Sequence, residues 1–301
     1  MSQYISNMYS KRILVIFLIF SVFIYLTSAC LQFRMSKKEI DDYFEKEVIK
    51  PALHQVEKHG REVNYAYVQT GKNNPLVVFV HGAPGSLSAF IHYLKDKTLQ
   101  SAVNMISYDR PGYGYSNFGW TEPSLTIQAD FLAEIITRHR HQNKVYLVGH
   151  SLGGPIVAKL AMEYPALADG LVIVAGSIDP DQEKQEWYRP LGRNFIGKTL
   201  LPKSLWVTNE EIIFLKKELE LMLPHWKEIQ IPVIVIHGDQ DSLVPKENAL
   251  FAQKMIDPQF LDLWILNDVN HFIPWNNSHL IVNAILKLAN PSNVSLESTS
   301  K

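Results

Sequence analysis

Apolar residues in this chain gather into short runs separated by stretches with helical spacing. The runs cover residues 63–68, 76–80, 103–108, 145–148, 171–175, 233–236 and 261–266. Most of the later runs are continuously apolar, the mark of parallel strands covered on both faces. Between many of them, residues 125–139, 152–164 and 247–256 repeat apolar positions three and four apart. That alternation predicts an α/β fold with a doubly wound, mostly parallel sheet. One connection breaks the rhythm. Residues 177–231, before the penultimate run, carry Trp187, Tyr188, Phe195, Trp206, Phe214 and Trp226 and a helical stretch at 209–222. Thr208 or Asn209 is the expected N-cap of that helix, with Glu210 and Glu211 in its first turn. An insertion of this length is expected to be functional or to form a subdomain.

The N-terminal part has a different texture. Residues 36–60 are charged and mixed, with Ile40, Tyr43, Phe44 and Val48 at helical spacing and a Ser36/Glu39 capping-box pattern. Residues 31–60 are therefore expected to form an amphipathic helix, broken at Pro51, that spaces the body from a membrane. Upstream, Lys11 and Arg12 precede an uncharged apolar run at 13–29, which ends in small residues directly before Cys30. A basic stretch, an apolar stretch and small residues before a boundary describe a secretory signal. Small residues before a cysteine resemble a bacterial lipobox, which makes Cys30 the expected lipidation site. The other reading is an uncleaved signal anchor, since about seventeen apolar residues just suffice to span a bilayer. On either reading residues 1–30 tether the body to a membrane, outside the cytoplasm if the basic end stays inside.

Composition narrows the function. The formal net charge of -1 gives no electrostatic reason to expect nucleic acid as a partner. A single cysteine excludes intrachain disulfides and a cysteine-rich zinc site. No His-Glu-x-x-His, Walker or dinucleotide glycine pattern occurs, so neither metal nor cofactor is expected.

The chemistry concentrates in loops that follow apolar runs. Gly149-His150-Ser151-Leu152-Gly153 joins a strand-like run to a helix-like one, the context of a nucleophile elbow. A serine hydroxyl needs a base to take its proton, and the base needs an anion to orient it. His271, in the loop after the last run, is the base candidate. Asp241, after the run at 233–236, is the acid candidate, preferred over Asp239, which is placed to cap its own turn, and over Asp179. An oxyanion needs aligned N–H donors, for which Leu152 and Ala83, in His81-Gly82-Ala83-Pro84-Gly85, are the candidates. His150 is expected to pack beside the nucleophile.

These motifs, with Asp109-Arg110-Pro111-Gly112-Tyr113-Gly114, Gly238-Asp239-Gln240-Asp241 and Asn270-His271, resemble the α/β-hydrolase superfamily over about residues 60–290 and stand in its order, serine then acid then histidine. The resemblance implies a core of 61–176 and 232–291, a helical lid at 177–231 and a polar tail at 292–301. It also implies a structural role for Asp109, which would fix the turn after its strand. A serine at the elbow, where haloalkane dehalogenases and epoxide hydrolases carry aspartate, points to acyl transfer to water. The expected function is a carboxylesterase-like serine hydrolase acting on a small or apolar ester-like substrate. Proline iminopeptidase, lactonase and carbon–carbon bond hydrolase share the triad, and some relatives perform cofactor-free oxygen chemistry with a similar one. A non-catalytic binding member is the alternative of another class. An iminopeptidase needs acidic residues in its lid to hold a free amine. Glu210, Glu211, Glu218 and Glu220 are candidates, although such residues on a lysine-containing helix ordinarily form a solvated face.

Overall fold

The computed structural model describes residues 32–184 and 186–290. Eight strands, β1 (Ala52–Lys58), β2 (Arg61–Val68), β3 (Leu76–Val80), β4 (Asn104–Tyr108), β5 (Val145–His150), β6 (Gly170–Val174), β7 (Val233–Gly238) and β8 (Leu261–Leu266), form one sheet in the order β1-β2-β4-β3-β5-β6-β7-β8. β1 and β2 pair antiparallel, as do β2 and β4, and every other pair is parallel. The longer helices are α1 (Lys37–Tyr43), α2 (Leu125–His139), α3 (Gly153–Glu163), α4 (Lys203–Met222), α5 (Glu247–Met255) and α6 (Ser278–Ala289).

The apolar runs explain the layering. Every residue of β3, β4, β5, β6 and β7 is buried. Successive side chains on a strand point to opposite faces. Leu76, Val78 and Val80 accordingly join one core with α2, α3 and α4, while Val77 and Phe79 join the other with α1 and α6. All parallel strands therefore end on one edge, where the chain must turn and where an open α/β sheet presents its site. The insertion between β6 and β7 lies over that edge.

Two expectations need correction. The helix expected across residues 31–60 stops at Tyr43. Ile40 and Phe44 are buried, but Val48 is 96% exposed, so the helical spacing loses its apolar face there. Residues 52–58 instead form edge strand β1, which turns into β2 through His59 and Gly60, both with left-handed backbone (φ 52° and 67°). Two such residues match the right-handed twist of the flanking strands and close a tight hairpin. The helix expected from Thr208 or Asn209 begins at Lys203, with Pro202 at its N-cap. Its buried face already starts at Ser204 and continues through Val207, Thr208, Glu211, Leu215, Leu219 and Met222, so packing against the body extends the helix one turn before the expected capping residues.

The expected anchor, Cys30 and the polar tail lie outside the described residues. Among the described residues no helix is long and apolar enough to cross a membrane.

Candidate active site

The turn after β5 holds Ser151 with left-handed backbone (φ 54°), a conformation that costs a non-glycine residue about 1–2 kcal/mol. The surrounding structure over-determines it. The Ser151 N–H donates to the Val174 carbonyl (3.0 Å), and its own carbonyl accepts from Gly154 (2.9 Å) and Ser177 (3.2 Å). The flanking glycines are required by space. A Cβ on Gly149 would meet the Gly153 carbonyl oxygen at 2.4 Å, and one on Gly153 would meet that of Val80 at 2.2 Å.

Asp241 and His271 converge from the loops after β7 and β8. One carboxylate oxygen of Asp241 accepts from the N–H groups of Leu243 (2.9 Å) and Val244 (2.8 Å), and the other accepts from His271 Nδ1 (2.7 Å). Burial pushes the Asp241 carboxyl up. The His271 ring and the two N–H groups outweigh it and hold the carboxyl below the ordinary aspartate range. With Nδ1–H engaged, His271 presents Nε2 as its free acceptor. His271 and Ser151 line the same cavity, without a hydrogen bond between them in this conformation. Such contacts are often long in an unliganded site and tighten on binding. Asp239 accepts from the Asp268 N–H (2.8 Å), and Asp179 caps the turn at Asp181 (2.9 Å), so both rivals for the acid position are engaged elsewhere. His150 donates from Nε2 to the His271 carbonyl (3.1 Å) and packs on its ring. Burial and then the neighbouring His271 push His150 down to about 3, leaving it neutral.

Within the described residues the N–H groups of Ala83 and Leu152 have no hydrogen-bond acceptor. The loop that carries Ala83 is fixed from behind. His81 Nδ1–H donates to the Gly82 carbonyl (2.6 Å), and Arg110 Nη2 donates to the same oxygen (3.2 Å). The Gly82 carbonyl and the Ala83 N–H belong to one planar trans peptide and point in opposite directions. Two donors on the oxygen therefore hold the direction in which the N–H points.

Arg110 is in turn held by α4. Its guanidinium is wholly buried and pairs with both oxygens of Glu211 (2.6 and 3.1 Å). Glu211 also accepts from Tyr113 (2.6 Å) and Gln128 (3.0 Å). This overturns the solvated-face reading of the lid glutamates. Glu210 and Glu211 are buried, Glu218 accepts from the Leu125 N–H (2.8 Å), and Glu220 alone of the four stays open to solvent. Breaking a buried pair leaves an uncompensated charge, so Arg110→Met alone is expected to cost about 3–5 kcal/mol. Arg110→Met with Glu211→Leu should recover most of it. Urea unfolding midpoints of the two variants check this. Asp109 is structural, as the resemblance implied. Its carboxylate accepts from the N–H groups of Leu87 (2.7 Å) and Tyr115 (2.8 Å).

Two cavities meet at Ala83, Ser151, Leu243 and His271. The larger, about 540 Å³, has no Asp, Glu, Lys or Arg among the described residues of its lining, which include Phe33, Ala89, Phe272 and Trp275. The smaller, about 370 Å³, opens under the insertion and is lined by Glu183, Lys184, Glu186 and Arg189. Trp275 lines the larger cavity. Trp226 is in the core, and Trp187 is 82% exposed. Sequence reasoning missed Arg110, Phe33 and Glu183. The one signal for the Arg110 partner was Glu211 falling on the apolar stripe of α4.

Comparison with known proteins agrees with this architecture. Residues 75–197 match the family model described as alpha/beta hydrolase fold. Lysophosphatidylserine lipase ABHD12 of Rattus norvegicus is 25% identical over 178 residues, covering 58% of this chain and 43% of the relative. Proline iminopeptidase of Saccharolobus solfataricus is 27% identical over 119 residues, covering 39% and 38%. The chain spans less than half the length of the first curated relatives it matches. A solved structure described as a membrane phospholipase A superposes with a TM-score of 0.62 at 14% identity, covering 97% of this chain and 99% of that one. By its strand order and flanking helices this chain has the α/β-hydrolase fold.

Proposed function

We propose that this protein is a serine hydrolase that cleaves a carboxylic ester through an acyl-enzyme. The observation that carries the reading is the convergence of His271, oriented by Asp241 at 2.7 Å, and the strained Ser151 on one cavity. Ser151 Oγ attacks the ester carbonyl while His271 Nε2 takes its proton. The N–H groups of Ala83 and Leu152 receive the oxyanion. His271 returns the proton to the leaving alcohol as the carbon–oxygen bond breaks. Water then attacks the acyl-enzyme, His271 takes the water proton, and the acid is released as Ser151 regains its hydrogen. Arg110 acts as a positioning residue for the Ala83 N–H.

The test is a panel of aryl esters of increasing acyl length beside amino-acid arylamides. Ester turnover with negligible arylamide turnover supports the reading. The reverse preference favours an iminopeptidase, for which Glu183 and Glu186 in the smaller cavity are the only acids among the described residues that line either chamber.

Glu183 also gives a pH signature. Burial, opposed by Arg189, reinforced by Asp179 and opposed again by Lys216, pushes its carboxyl up to about 7. Below that pH it is neutral, and above it carries a negative charge into the smaller cavity. KM for an ester with a cationic alcohol is therefore expected to fall as pH rises through this range, by roughly three- to tenfold, equivalent to about 1 kcal/mol. Glu183→Gln should flatten the trend, and steady-state kinetics at several pH values check it.

A further inference from the structure

We infer that the rim of the larger cavity is a bilayer-docking surface, through which an acyl chain passes from the lipid phase to Ser151; the acyl-chain part rests on the ester-hydrolase reading above. Four large apolar side chains line this cavity and also stand in solvent: Phe33 (45% exposed), Leu243 (64%), Phe272 (49%) and Trp275 (45%). They come from separate parts of the chain and surround one opening, so they form a patch and not a scatter of single exposed residues.

The segment that supplies Phe33 says what covers the patch. Residues 33–35 are clipped to the loop that carries Ala83. Ser86 Oγ–H donates to the Phe33 carbonyl, and the Met35 N–H donates to Ser88 Oγ (2.9 Å). Arg34 donates to the Gly114 carbonyl and lies over the rings of Tyr115 (4.2 Å) and Phe118 (4.8 Å). In the sequence, only Cys30, Leu31 and Gln32 separate Phe33 from the uncharged apolar run that ends at Ala29. Four residue steps reach at most about 14 Å when fully extended. An apolar run that enters a bilayer therefore brings the rim to the bilayer surface, where aromatic side chains such as Trp275 and Phe272 are well accommodated. The expected spacer is absent from this geometry. Phe33 itself lines the cavity, four residues after the apolar run ends at Ala29 in the sequence. The uncharged chamber then faces the lipid and the charged chamber lies on the far side of Ser151, an arrangement suited to an ester with an apolar acyl chain and a polar alcohol.

The test uses the full chain in phosphatidylcholine–phosphatidylglycerol vesicles that contain radiolabelled phosphatidylcholine. A benzophenone amino acid is introduced singly at Leu243, at Phe272 and, as a control, at Gln142, which is exposed in the turn before β5 at the opposite end of the strands. Irradiation is expected to give lipid adducts at positions 243 and 272 about tenfold above those at 142. Equal yields at all three positions, or adducts to a second copy of the chain in place of lipid at 243 and 272, would overturn the docking surface. Labelling of the unsubstituted chain in the same vesicles with a fluorophosphonate probe reports Ser151 separately. Probe labelling without lipid adducts sinks the docking surface and leaves the hydrolase reading standing. Lipid adducts without probe labelling keep the docking surface and remove the hydrolase reading.

Discussion

Ser151→Ala is expected to lower kcat for ester hydrolysis by roughly a millionfold, the scale on which serine hydrolases lose rate when the nucleophile is removed. It should also abolish labelling by a fluorophosphonate probe. The fold should survive, because the bonds that hold the turn are made by the backbone of residue 151 and not by its hydroxyl. A further comparison separates catalysis from strain. At φ 54°, alanine keeps the left-handed penalty of about 1–2 kcal/mol and glycine does not. Ser151→Gly should therefore be at least as stable as Ser151→Ala, despite the greater freedom of glycine in the unfolded chain. Both variants should be equally inactive. Full probe labelling of Ser151→Ala would assign the nucleophile elsewhere.

Under the proposed mechanism, Asp241→Asn is expected to lower kcat by roughly ten-thousandfold, with a much smaller change in KM, as for the corresponding change in known Ser-His-Asp hydrolases. The carboxylate oxygen that accepts from His271 Nδ1–H is the one that fixes the imidazole tautomer. An amide can instead turn its NH2 toward Nδ1, which shifts the ring proton to Nε2 and leaves no base facing Ser151. The other Asp241 oxygen accepts from Leu243 and Val244, so the amide oxygen of asparagine can keep the turn in place. Unchanged secondary structure by circular dichroism beside the lost rate is the expected pair of results. A loss of less than about tenfold would remove Asp241 from the catalytic set.

The candidate site was legible where its residues lie in a loop that follows an apolar run. Ser151, Asp241 and His271 each follow such a run, and the strand ends bring them to one edge because parallel strands all finish on the same side. Features without a local apolar signature were not legible. Only Val56 of β1 is buried, so that edge strand shows no alternation. Glu211 looked like one more acid on a charged helix, because its partner Arg110 lies 101 residues away. Phe33 sits next to charged positions in a stretch whose spacing suggested a helix, and nothing local ties it to the loop at Ser86.

The attachment of α4 divides the insertion into two parts with different fates. Glu211 binds Arg110, Gln128 and Tyr113, Glu218 binds the start of α2, and Leu215, Leu219 and Met222 lie in the main core. That helix is scaffold, and it cannot swing away without breaking a buried ion pair. The stretch from Asp179 to Pro202 contributes short turns and the charged wall of the smaller cavity. New loops could be grafted there without disturbing the frame around Ser151, so under the proposed ester hydrolysis a change of leaving-group preference in descendants of this protein should arise from that stretch and leave α4 as it is.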